Sequence, residues 1–151
     1  MSMKKVYDRL HSFIDVMLFY EPATREKIAL FQNENGIELP NSYVELLSLF
    51  DGGELFIPGT IIYGITPRAN EKTIVDVNGR KARSITKLPN TYLIFGRLNY
   101  GDLICIDLNG NNEVIQWDHE QDEEFCRWNS IEEWLTDQID DYIEYNDGGE
   151  S

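Results

Sequence analysis

The sequence predicts an α+β domain: helices first, then an antiparallel meander, then a closing helix. Three observations carry this. The stretch from Leu39 to Gly53 reads as a start signal, one helix with a single apolar face, and a stop signal. After Gly53 the period of the pattern changes, and short β-rich runs alternate with turn residues. Near the end, Ser130-Ile131-Glu132-Glu133 has the wording of a capping box and opens a helix with an apolar stripe.

The elements follow in order. Val6, Leu10, Phe13, Ile14 and Met17 share one helical face, which predicts a first helix from Lys4 to Leu18. Pro22 then breaks the chain, because the residue before a proline is pushed to extended geometry. Thr24 is the expected N-cap of a second helix over Arg25 to Asn35, anchored by Ile28 and Phe31 and ended by Gly36 in a left-handed cap. Ile37 to Leu39 is a short extended link. In the third helix Pro40 pre-sets φ, Asn41 or Ser42 is the expected cap, and Tyr43, Leu46, Leu47 and Phe50 lie on one face. Gly52 and Gly53 are expected to close it. Strand-like runs at Glu54 to Ile57 and Thr60 to Tyr63 flank the turn dipeptide Pro58-Gly59. Thr66 to Lys72 reads as a polar loop. Tyr92 to Phe95, Leu103 to Leu108 and Glu113 to Trp117 are the next strands, separated by turns at Tyr100-Gly101-Asp102 and Leu108 to Asn112. A polar segment leads to the last helix, whose buried stripe is Ile131, Trp134, Leu135, Ile139, Tyr142 and Ile143. Asp147 to Ser151 is expected to fray.

The 151 residues suit one domain, large enough to bury a core without metals or disulfides. No apolar run approaches a membrane span, and the N-terminus has no apolar leader with a cleavage site, so a cytoplasmic protein is the expectation. Cys105 and Cys126 have no CxxC spacing and read as free thiols. Net charge is −14, which argues against direct contact with nucleic acid or an anionic membrane and suits a basic partner. The charge is concentrated. From Asp118 onward, 13 acids face one base, Arg127, whereas the first 117 residues hold 14 acids and 12 bases.

The search for chemistry returns little. His11 lies on the polar side of the first helix. Asp118, His119 and Glu120 offer metal-ligand types, but neighbours on an extended chain point in alternate directions. Asp107, Asn109 and Asn111 imitate the opening of a calcium loop, with Asp118 at the twelfth position. Asn112 holds the place of the sharp-turn glycine, however, and the flanks read as strands. There is no phosphate loop, no nucleophile elbow and no Cys-His pair. No metal, cofactor or catalytic residue is therefore assigned.

A set of short motifs remains. They are Ile28 to Phe31, Gly36-x-x-Leu39-Pro40-x-x-Tyr43, Asp51-Gly52-Gly53, Leu93 to Gly96, Gly101-Asp102, Ile106-Asp107, Val114-x-x-Trp117-x-His119, and Ser130 to Leu135 with its Glu-Trp-Leu. In this order and spacing the chain resembles the SUKH superfamily, also called the Smi/Knr family. The resemblance implies a twisted, mainly antiparallel sheet with N-terminal helices and a C-terminal helix packed around it, and no conserved catalytic group. It also implies that residues 73–84 form a helix or loop beside the sheet, although Asn78-Gly79 after a β-branched run is locally a hairpin signal. Bacterial members are mostly immunity proteins of polymorphic toxin systems; eukaryotic relatives look like regulators of cell-wall assembly and signalling.

The resemblance thus implies a protein that covers the basic active site of a cognate toxin, a nuclease by the charge argument, or alternatively a regulatory or scaffold domain. The expected contacts are Asp118, Glu120, Asp122, Glu123 and Glu124, with Trp128 as anchor. Ordinary core packing is the competing reading for both Trp117 and Trp128, and the favoured one for Trp117.

Overall fold

A computed structural model of the protein describes residues 2–148. Its helices are α1 (Met3–His11), α2 (Arg25–Asn35), α3 (Asn41–Leu49), α4 (Ile74–Val77), α5 (Arg80–Arg83) and α6 (Ile131–Gly148). Its strands are β1 (Leu18–Phe19), β2 (Gly53–Leu55), β3 (Thr60–Ile62), β4 (Tyr92–Arg97), β5 (Leu103–Asp107), β6 (Val114–Asp118) and β7 (Glu123–Trp128). The strands form one antiparallel meander in sequence order, as the α+β expectation requires.

Side chains alternate between the two faces of the sheet. Ile104 and Ile106 of β5 join the main core with Val6 and Leu10 of α1, Tyr43 and Leu47 of α3, and Trp134 and Ile139 of α6. Cys105 between them points to a second, smaller cluster with Tyr63, Leu88, Ile94 and Trp117. The segment between β3 and β4, which carries α4 and α5, covers part of this second face. It is held by Asn78, whose amide exchanges hydrogen bonds with the Ile94 backbone N–H (2.9 Å) and C=O (2.8 Å). Arg83 then donates to Asn78 Oδ1, to the Tyr92 carbonyl at 2.7 Å and to the Pro89 carbonyl. The helical reading of residues 73–84 therefore holds. Thr73 and Asp76 form a capping box for α4, and Asn78 serves the sheet rather than a hairpin turn.

α2 has the expected bounds, with the Thr24 hydroxyl accepting from Lys27 N and Gly36 at φ +60°. Four sequence readings change. The first helix stops at His11; a 3-10 turn at Ile14–Val16 redirects the chain so that Leu18 and Phe19 pair with β2 as an edge strand. Neither Asn41 nor Ser42 caps α3: Pro40 occupies the cap position without a side-chain bond. Gly52 and Gly53 do not end the helix, which closes on extended Phe50. They instead allow close backbone approach: Gly52 has φ +84° and faces Gly64, and a Cβ on Gly53 would lie 1.9 Å from the Leu18 carbonyl oxygen. Finally, Asp147 and Gly148 belong to α6; residues 149–151, also expected to fray, lie outside the described residues.

Candidate functional site

The polar segment after β6 is a β-hairpin whose second strand, β7, is the sheet edge. Two glutamates opening a strand contradict β propensity, which is why the sequence reading passed over it. The hairpin brings Asp118, Glu120, Asp122, Glu123 and Glu124 to one end of the sheet. A register shift opposite Gln116 and Trp117 leaves Phe125 as the extra residue of a bulge, and its side chain is 66% exposed.

These carboxylates have different duties. Asp118 accepts from the N–H groups of Glu120 (2.8 Å) and Gln121 (3.0 Å), which shapes the turn. Asp122, at φ +54°, accepts from Thr86 Oγ1 (2.5 Å), Trp117 Nε1 (2.9 Å) and Lys87 N (2.8 Å), pinning the hairpin to the α4–α5 segment. Those bonds, Thr86 first, hold its carboxyl below the usual range. Glu124 accepts from Arg127 Nη2 (2.8 Å) and Tyr92 Oη (3.0 Å), and the Arg127 bond holds it low as well. Arg127 reaches Asp107 and Glu113, each at 3.1 Å, so the single base of the acidic end is engaged by three carboxylates. Trp128 is half-buried against the main core and donates to Asp137 Oδ2 at 2.8 Å. Trp117 is buried in the second cluster. Glu120 and Glu123 remain exposed, with no cation among the described residues in ion-pair range.

A second acidic surface was not singled out from the sequence. On α6, Glu133, Asp137, Asp140, Asp141 and Glu144 follow i, i+4, i+7, i+8 and i+11, one stripe opposite the buried Leu135 and Ile139. Its spacing is present in the sequence, but the same helix carries the stronger apolar stripe. Arg9 touches Asp140 at 3.4 Å. Partial burial, then the charges of Asp137, Glu144 and Asp140, push the Asp141 carboxyl above its usual value. Like charges crowd here, and Arg9 is the only cation among the described residues in ion-pair range of the stripe.

The metal-like residues assemble differently from their order in the chain. His119 turns to Asp102, with Nδ1 2.5 Å from Oδ1, and Asp118 lies beside them, while Glu120 does not join. Asp102 is buried. Burial opposes its charge, but hydrogen bonds from Gln116 and His119 outweigh that and hold its carboxyl low; the same pairing raises His119. Both Asp102 oxygens are thus occupied by protein donors. In the calcium-like turn Asp107 accepts from Asn109 N and Arg127, and Asp118 lies at the far end of β6. Neither arrangement converges free ligands on one point.

Comparison with known proteins agrees with this architecture. The sequence model of the SMI1 / KNR4 family (SUKH-1) matches residues 22–137. No curated protein matches the chain. A solved structure, described as the crystal structure of a protein from Pseudomonas syringae pv. tomato, is similar with a TM-score of 0.66 and 14% identity. The match covers 89% of this chain and 96% of that one, and it bears on fold alone.

Proposed function

Because the chain belongs to the SMI1 / KNR4 family (SUKH-1), we propose that it is an immunity protein that binds a cognate toxin and covers the toxin's basic active-site surface. One observation carries the reading: Glu120 and Glu123 of the β6–β7 hairpin and the acidic stripe of α6 are left exposed, while Arg127, the one base from Asp118 onward, is engaged internally. A nuclease is basic where it holds phosphates, so an acidic surface can occupy that site and be steered to it. Glu120 and Glu123 supply charge from the hairpin, and Glu133, Asp141 and Glu144 from α6. Phe125 is the exposed apolar anchor between acidic neighbours. Asp118, Asp122, Glu124 and Trp128 act at the same surface by holding its shape.

In this reading no residue is catalytic and no cofactor is needed. No described helix is long and apolar enough to cross a membrane, and the encounter is assigned to the cytoplasm, where Cys105 and Cys126 stay unpaired. The test is co-expression. A toxin domain captured from the native organism should arrest growth when expressed alone, and this chain should restore growth. Persistent arrest beside folded, abundant protein would contradict the reading, and a captured partner of regulatory or envelope type would favour the scaffold alternative.

A further inference from the structure

The second face of the sheet is only partly covered. Between β1–β5 and the segment that carries α4 and α5 lies a cleft of about 550 Å³, within the range of small-molecule sites. Ile61 and Leu103 form an apolar floor, and both pair across the sheet with Arg97, which places the guanidinium on the same face. Tyr20 and Arg68 wall it, the guanidinium stacked 4.0 Å from the ring centre. Three carboxylates line the cleft, and all have partners within the protein. Asp51 accepts from Ile65 N (2.8 Å) and Thr66 Oγ1, and its side chain is 1% exposed. Glu54 accepts from Gly59 N at 3.1 Å, and Glu71 from the Tyr20 hydroxyl. The cations are not matched in this way. Arg68 reaches Asp51 only at 3.9 Å, and Arg97 and Lys72 have no carboxylate in ion-pair range among the described residues. The three carboxylates keep their charge and balance the three cations of the lining, but each already accepts from a protein donor. Lys72 and Arg97, the latter also meeting the Tyr63 hydroxyl, have no carboxylate partner among the described residues, so the cleft still offers a ligand cationic N–H donors beside an apolar floor.

We propose that this cleft binds a small organic anion, its apolar body on the Ile61–Leu103 floor and its carboxylate or phosphate oxygens held by Arg97 and Lys72. The inference is independent of the immunity reading. Backbone amide NMR shifts of the whole chain, titrated separately with phenylphosphate and phenylacetate, test it. At least one anion should give saturating shifts at Gly53, Ile61, Arg97 and Leu103, with a midpoint of about 1 mM or tighter. Benzyl alcohol, uncharged, should leave those amides in place. The double variant Lys72→Ala/Arg97→Ala should weaken the anion about tenfold or more, while unshifted β6 and β7 amides report an intact fold. Scattered shifts with both anions, equal response to benzyl alcohol, or an unchanged midpoint in the double variant would each overturn the proposal.

Discussion

Residues 118–151 and residues 66–97 are opposite poles on one sheet. The first region holds 13 acids and one base; the second holds seven bases, from Arg68 to Arg97, and two acids, Glu71 and Asp76. In each pole the minority charge has partners within the protein: Arg127 with Glu124, Asp107 and Glu113, Glu71 with the Tyr20 hydroxyl, and Asp76 in the α4 capping box. Part of the majority charge is also engaged within the protein, as at Asp122, Glu124 and Arg83, and the rest of what is described faces water. The difference teaches that net charge alone describes neither surface. What a partner meets is the set of charges left after internal pairing, and the two poles offer opposite sets.

The comparison breaks most strongly at the basic pole. Asn78→Ala removes the hydrogen bonds that clasp the α4–α5 segment to β4 and leaves buried backbone groups of Ile94 unpaired; unfolding in urea should show a loss of about 3 kcal/mol. A loss below a quarter of that would mean the segment is held by other contacts. At the acidic pole, Arg127→Ala leaves three carboxylates facing one another. Its guanidinium is partly solvated, which reduces the cost, so about 2 kcal/mol is expected by the same measurement. Asp141→Lys should act in the opposite direction. Removing one member of a crowded stripe should stabilise the chain by about 0.5 kcal/mol, and added salt should shrink the gain.

Proton titration separates the two kinds of acid within one pole. The carboxyls of Glu124 and Asp122 are held low by their hydrogen bonds. Their contribution to stability is complete above the unfolded value and is lost as pH falls through the folded value. Asp141 is raised, so it takes its proton earlier on acidification, and protonation relieves the helix. Carbon-13 NMR of the carboxyl groups should therefore show Asp141 protonating before Asp122 as pH falls from 7. The reverse order would show that the internal bonds do not form as described.

Much of this architecture was readable from the chain because the relevant signals are local. Thr24 and Gly36 bracket α2, and the unbroken apolar run from Leu103 to Ile106, closed by Asp107, marks β5. What was missed depends on distant residues. β1 exists because Gly53 admits the Leu18 backbone, and no property of Leu18-Phe19 announces it. β7 is a strand against its own propensity because β6 offers an edge to pair with. At the candidate site, the acidic concentration was plain, but the division between working and exposed carboxylates was not. Asp122 finds Thr86 across 36 residues and Glu124 finds Tyr92 across 32, and no spacing rule encodes either.

The central claim is that the exposed acids of the hairpin and α6 meet a basic partner. It is tested most directly by association kinetics with the toxin domain captured from the native organism, measured against ionic strength. Wild-type association should slow steeply with salt. A variant carrying Glu120→Lys, Glu123→Lys, Glu133→Lys, Asp141→Lys and Glu144→Lys should associate about 10- to 100-fold more slowly at low salt, with its salt dependence flattened or reversed. Equal rates and equal salt dependence in the two proteins would contradict the claim and move the interface away from the acidic pole.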